Sequence, residues 1–162
     1  MARRFEEIGV RVPIRSAGLL EGGTPSPREV IDAAARLGID LRGHRSVQVE
    51  SWMLDDADLI VTMARSHVRE ISVREQKCWP KSFTLRELVR RAARAGSRPA
   101  GEPFEEWLSA VRDGRRTGDL FGADRRDDVL DPMGGTTEAF DEMVEILDDL
   151  TTELADLLFP VR

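Results

Sequence analysis

Asp131 is the residue whose surroundings most clearly suggest chemistry. It opens the run Asp-Pro-Met-Gly-Gly at positions 131–135, in which Pro132 restricts the backbone and the two glycines allow it to approach a ligand closely. A carboxyl group placed in this way suits a general acid. The same five residues, taken alone, fit better with a turn in which Asp131 caps the helix that follows.

Cys78, the only cysteine, lacks the neighbours of a phosphate-binding nucleophile. A phosphatase-type loop has an arginine six positions after the cysteine, so that the guanidinium and backbone amides surround the phosphate. Position 84 is Thr84, and the adjacent Trp79 and Pro80 favour a half-buried structural role for Cys78. With one cysteine and two histidines, no disulfide within the chain, metal site or cofactor is expected.

Two further features could carry chemistry. His44 could be a base or a buried hydrogen-bonding residue, and the structural role is favoured because no nucleophile is identified beside it. His67 is expected to face solvent. The basic stretch at 86–94 fits a solvated helix face better than a patch for phosphopeptides or acidic partners.

The composition indicates one folded domain over residues 1–162. Hydrophobic residues make up 41% and charged residues 33%, enough for a core and a solvated surface. The net charge of −6, spread along the chain, disfavours nucleic-acid binding. No segment resembles a signal peptide or reaches the roughly 18 apolar residues of a membrane span, so a cytoplasmic protein without membrane association is expected.

Short strands alternate with helices along the chain. The apolar run at 57–63 is typical of a parallel strand buried on both faces, and shorter strands are predicted at 10–15 and 81–85. Residues 95–101 are predicted to form a flexible joint and residues 112–128 a long exposed loop. Helices are predicted from Pro27 to Gly38 and over 65–73, 86–94 and 102–111.

A long terminal helix is predicted from Thr137 onward. Its apolar residues recur at spacings of three and four, and some are seven apart. The heptad spacing would suit a coiled-coil arm, but three heptads are few. A helix that packs on the core of one α/β domain explains the same pattern and is favoured.

Five short segments, in order, resemble the low-molecular-weight protein tyrosine phosphatases. The resemblance implies a flavodoxin-like, three-layer α/β fold around a four-stranded parallel sheet, with phosphate chemistry at the carboxyl ends of the strands. Residues 79–88 resemble an actinobacterial-type branch. The five segments are Ser16-Ala17-Gly18, the 27–41 helix and its end, Gly43-His44-Arg45-Ser46, the 57–63 strand, and Asp131-Pro132 with Gly134-Gly135.

The resemblance assigns the general acid to Asp131 but finds no nucleophile. In the family a Cys-x5-Arg-Ser loop follows the first strand, and Met1 corresponds to a position inside the next helix. The expectation is therefore an N-terminally incomplete domain, inactive as it stands, or a pseudophosphatase that acts as a binding or regulatory module. Arsenate reduction would need further redox cysteines.

The substrate is left open by the resemblance. Met133 stands where the family often has an aromatic residue, and Ala64 replaces a common acidic residue. Both departures weaken the case for phosphotyrosine in particular. A phosphorylated protein or a small phosphomonoester is the expected substrate class, and the substrate-binding residues are not identified.

The implied sheet raises a structural question. In the family the first strand lies between the strands that correspond to 10–15 and 57–63. Unpaired buried backbone groups cost about 1–3 kcal/mol each against net stabilities of about 5–15 kcal/mol, so a gap there should not stay open. An upstream segment, closure of the two strands, or a strand from another chain, as in a strand-mediated homodimer, would fill it.

Overall fold

The computed structural model describes residues 1–121 and 125–160. Residues 122–124, which fall in the predicted 112–128 loop, lie outside this description. In chain order the elements are α1 (Ala2–Glu7), α2 (Arg28–Arg36), α3 (Ser51–Asp56), β1 (Ile60–Thr62), α4 (Arg65–Arg74), a 3₁₀ helix (Gln76–Lys81), β2 (Ser82–Thr84), α5 (Leu85–Ala95), α6 (Phe104–Val111), a second 3₁₀ helix (Thr117–Phe121) and α7 (Thr137–Leu158).

Strands β1 and β2 form a parallel pair, in which Ile60, Val61 and Thr62 lie opposite Ser82, Phe83 and Thr84. The connection between them runs through α4 and the first 3₁₀ helix, as parallel strands require a crossover. The strands predicted at 57–63 and 81–85 and the α/β class are confirmed. The described residues contain two strands, where the resemblance implies four.

The prediction of a strand at 10–15 is wrong. Residues 10–17 contain neither helix nor strand, and Val12 and Ile14 are 41% and 43% exposed. A strand needs a neighbour for its N–H and C=O groups, and within the described residues β1 pairs only with β2. For the same reason β1 is not buried throughout: Ile60 and Val61 are half-buried, and only Thr62 is buried.

The main core lies between β2, α5, α6 and α7. Each fully buried Leu or Phe side chain contributes about 1.5–3 kcal/mol relative to exposure, so this cluster dominates the stability of the fold. Helix α7 supplies Leu154 and Leu158 to it and contacts α5, α2 and α1, which confirms the core-packing interpretation of the terminal helix. The fully buried members with the largest side chains are Phe83, Leu85, Leu88, Leu108 and Leu154.

Arg115 fixes the start of the predicted 112–128 loop to the amino end of β2. Its guanidinium lies between two aromatic rings, 3.8 Å from the centroid of Trp79 and 4.0 Å from that of Phe83. It donates hydrogen bonds to Glu87 at 2.8 Å and to the Ser82 carbonyl at 2.7 Å. Burial lowers the pKa of Arg115 while the bond to Glu87 opposes that shift. This contact was not predicted from the sequence.

None of the helices in the described ranges has the length and apolar character needed to cross a membrane.

Candidate functional site

Residues 125–135, here called the Asp131 loop, lie against the carboxyl end of β1. The Val129 amide donates to the Met63 carbonyl at 2.8 Å, directly after the strand. The Asp128 carboxylate accepts from the backbone N–H of Arg65, the first residue of α4, also at 2.8 Å. Val129 is buried, with 6% exposure. The loop is therefore attached at the edge of the sheet where parallel α/β folds bind ligands.

The Gly-Gly pair is required by the turn that follows Asp131. Gly134 has φ of +79°, a conformation that disfavours side chains. The Gly135 amide donates to the Pro132 carbonyl at 2.7 Å, and a Cβ at position 135 would lie 2.8 Å from that oxygen. Both glycines therefore maintain a compact turn that ends the Asp131 loop.

Asp131 itself is exposed, and its Oδ1 accepts a hydrogen bond from the Met133 amide at 2.9 Å. This is the turn that the motif predicts. Asp131 is not the cap of the following helix, because α7 begins at Thr137 and Thr136 occupies its N-cap. The carboxyl group thus faces solvent on a constrained loop, next to the exposed side chains of Leu130 and Met133.

Two arginines hold Asp127, which precedes Asp131 by four residues and is 3% exposed. Arg90 donates to its carboxylate from two nitrogens, at 3.2 and 2.8 Å, and Arg65 contacts it at 3.3 Å. The expectation that 86–94 is only a solvated face is therefore wrong at Arg90. No sequence pattern relates Arg90 to Asp127, which lie 37 positions apart, so this contact could not be predicted.

The segments containing Ser16-Ala17-Gly18 and Gly43-His44-Arg45-Ser46 are joined to each other. Gly18 exchanges backbone hydrogen bonds of 2.8 Å with Val47 and Val49. A Cβ on Gly22 would lie 3.1 Å from the backbone of the opposing segment, so this close approach favours glycine. His44 is exposed in this segment, which corrects the expectation of a buried structural histidine.

Cys78 lies outside this edge of the sheet. It belongs to the 3₁₀ helix that precedes β2, at the amino end of that strand, and it is fully buried beside Leu54 and Ile71. Its thiol contacts the Leu54 carbonyl at 3.6 Å, and desolvation raises the pKa of the thiol. The structural role predicted for Cys78 is confirmed, with deeper burial than expected. His67 is exposed, as predicted.

No group of three or more His, Cys, Asp or Glu side chains is arranged to hold a metal ion within residues 1–121 and 125–160.

Comparison with known proteins identifies the family. Residues 1–106 match the family described as low molecular weight phosphotyrosine protein phosphatase. The chain belongs to that family. It is similar to the probable low molecular weight protein-tyrosine-phosphatase EpsP of Ralstonia solanacearum, with 29% identity over 106 residues, which are 65% of this chain and 72% of EpsP. The predicted family is therefore confirmed.

Solved structures show the same fold. The low molecular weight protein tyrosine phosphatase from T. tengcongensis superposes with a TM-score of 0.70 at 24% identity, over 96% of this chain and 84% of that one. The YwlE arginine phosphatase from Geobacillus stearothermophilus gives 0.66 at 23% identity, over 96% and 80%. At these identities the likeness establishes the α/β phosphatase fold and not the substrate.

Proposed function

We propose that this chain is a phosphatase domain whose chemistry is phosphomonoester hydrolysis. A phosphorylated protein or a small phosphomonoester is the proposed substrate, and Asp131 is the proposed general acid. The observation that carries the proposal is the attachment of the Asp131 loop at the carboxyl end of β1, through the 2.8 Å bond from Val129 to Met63. Asp131 lies beyond the 106 residues that match the family. Its role therefore rests on the loop geometry and on the Asp-Pro resemblance.

The proposed reaction has two steps. A thiolate from a Cys-x5-Arg segment attacks phosphorus, the bond to the leaving oxygen breaks, and protonated Asp131 gives its proton to that oxygen. Water then attacks the phosphocysteine, the S–P bond breaks, and the Asp131 carboxylate takes the proton of the water.

The only cysteine of the sequence is Cys78, with Thr84 six positions later. We therefore propose one domain over 1–162 that lacks phosphatase activity on its own.

The acid role is tested in the chain fused to a segment that carries Cys-x5-Arg-Ser. Asp131→Asn is expected to lower the rate by roughly 100- to 10,000-fold on esters with poor leaving groups, the usual range for a general acid. Aryl phosphates with activated leaving groups need no proton and should lose far less. Asp113→Asn, an exposed carboxylate outside the loop, is the matched control.

Equal losses on both kinds of ester would indicate that Asp131 only shapes its turn. No loss on either would remove Asp131 from the mechanism. The unfused chain tests the proposed inactivity, because it should show no turnover above background. Turnover that survives purification and is abolished by Cys78→Ser would overturn the proposed inactivity.

A pseudophosphatase with a binding or regulatory role is the second candidate. It is favoured by the state of Cys78, whose thiol is fully buried, has a raised pKa and lies at the amino end of β2. Such a thiol is a poor nucleophile. In-frame codons upstream of Met1 separate the two candidates: codons for Cys-x5-Arg-Ser support the hydrolase, and their absence supports the binding module.

We also propose that two copies associate through the open edge of β1. Within the described residues this strand has a partner on one side only, and Val12, Ile14 and Met63 are exposed at 41%, 43% and 37%. A strand with an open edge is a template for pairing with another strand. Light scattering after size-exclusion chromatography tests this, and a stable monomer that melts cooperatively above about 60 °C would contradict it.

The remaining proposals concern the surroundings of the protein. We propose a cytoplasmic location, because the single cysteine is unpaired and buried, as is usual in a reducing compartment. Neither a nucleic acid nor a membrane is proposed as a partner, and no cofactor is needed for the thiolate chemistry. Residues 79–88 are proposed to mark an actinobacterial-type member of the family.

A further inference from the structure

The residues that hold the Asp131 loop come from both helices that follow the strands. Arg65 is the first residue of α4, directly after β1, and Arg90 lies in α5, directly after β2. Both contact the carboxylate of Asp127, Arg90 at 2.8 Å and Arg65 at 3.3 Å. Asp127 therefore links the loop to α4 and to α5.

Because Asp127 is buried, water cannot readily replace Arg65 and Arg90 as partners of its carboxylate. The side chain of Asp127 is 5% exposed, while those of Arg65 and Arg90 are 21% and 37% exposed. A buried carboxylate without a cationic partner is strongly unfavourable, whereas one held by two guanidinium groups is compensated by charge-assisted hydrogen bonds. The carboxylate therefore holds its side of the loop against α4 and α5.

The next two residues continue the attachment. Asp128 accepts from the backbone N–H of Arg65, and Val129 donates to Met63. The same Arg65 side chain also donates to the Asp119 carbonyl at 2.6 Å, so it contacts the second 3₁₀ helix as well as the Asp131 loop. Beyond Val129 the chain is exposed through Asp131 and Met133.

We propose that Asp127 is a positioning residue for Asp131, held by Arg65 and Arg90 as a two-arginine clamp. The clamp fixes the base of the loop, and the turn at Pro132 to Gly135 then sets the direction of the Asp131 carboxyl group. This inference rests on the proposed role of Asp131 as the acid. Its test uses loop mobility, which does not depend on catalysis.

The test is amide hydrogen exchange by NMR on the whole chain. Asp127→Asn keeps the shape of the side chain but removes its charge. The Val129 amide should then exchange about 10- to 100-fold faster, the range for loss of a charge-assisted contact, while Leu88 and Ala92 in the core stay protected. The Met133 amide, which donates to Asp131, should change its chemical shift at the same time.

Two control variants show whether the charge pairing is responsible. Asp113→Asn makes the same chemical change at an exposed carboxylate outside the Asp131 loop, and it should leave Val129 unchanged. Asp127→Glu restores the carboxylate and should bring the exchange rate and the Met133 shift back toward those of the parent chain. If Asp127→Glu and Asp127→Asn behave alike, the role of charge is refuted.

If Asp127→Asn unfolds the chain, with Leu88 and Ala92 losing protection as well, Arg90→Lys decides the matter. This variant keeps the positive charge but cannot donate from two nitrogens, and it should loosen Val129 with the core intact. Unchanged exchange at Val129 in a folded variant would overturn the clamp and leave the acid role of Asp131 standing. A working clamp with no leaving-group effect at Asp131 would instead refute the acid role alone.

Discussion

The Asp131 loop and the segment of residues 10–17 differ in how their backbone groups are satisfied. The loop bonds to the end of β1 through Val129 and to the start of α4 through Asp128. Within the described residues no backbone hydrogen bond holds residues 11–17, and Val12 and Ile14 are exposed. A loop can be fixed by a few local bonds, whereas an extended segment needs a whole neighbouring strand.

The largest effect on stability is expected from the turn that ends the Asp131 loop. Gly135→Ala places a Cβ 2.8 Å from the Pro132 carbonyl oxygen, a backbone atom that cannot move without opening the turn. We expect the free energy of unfolding to fall by about 1–3 kcal/mol, as for other substitutions that strain the backbone. Urea denaturation measures this change.

Gly118→Ala is the matched control, because a Cβ there meets no atom within 4 Å. Its expected effect is within about 0.5 kcal/mol of the parent chain. If Gly135→Ala proved as stable as Gly118→Ala, the turn would not be the constraint that distinguishes the Asp131 loop from residues 11–17.

A further prediction concerns Cys78, which lies at the amino end of β2, away from the Asp131 loop. Burial raises the pKa of its thiol above the value in the unfolded chain. Its contribution to stability is therefore fully present below the unfolded pKa of about 8.5 and is lost as the pH rises above it. Unfolding measured from pH 7 to 10.5 should show a steeper loss of stability in the parent chain than in Cys78→Ala. Parallel curves would contradict the burial of the thiol.

The smallest effect is expected in the segment 10–17. Val12→Ala combined with Ile14→Ala should change the free energy of unfolding of the monomer by no more than about 0.5 kcal/mol, because both side chains are already exposed. The same pair should weaken any dimer that forms through β1, which light scattering at several concentrations would detect. A large loss of monomer stability would show that the segment is packed.

The sequence predicted local features of the fold better than contacts between distant residues. The apolar runs at 57–63 and 81–85, the glycine after α2 and the spacing in α7 each carry their own signal, and the structure has those elements. The strand at 10–15 failed because strand formation depends on a partner that its own residues do not encode. A resemblance to the family supplied the fold and the Asp-Pro motif.

The contacts that position the candidate site were not predictable in the same way. Arg115 between Trp79 and Phe83, and Asp127 between Arg65 and Arg90, join residues 32 to 62 positions apart where charged residues are abundant. Charge patterns within one helix can be recognised from spacing, but pairs between elements depend on the packing. The sequence therefore identified Asp131 and its turn but not the residues that hold the loop.

Amide-resolved hydrogen exchange on the unmodified chain compares the Asp131 loop and residues 11–15 in one experiment. We expect the amides of Val129 and Arg65 to be protected at least about 10-fold more than those of Arg11, Val12, Ile14 and Arg15. Equal protection in both segments would contradict this expectation, either by showing the Asp131 loop detached from β1 or by showing residues 11–15 paired in the sheet.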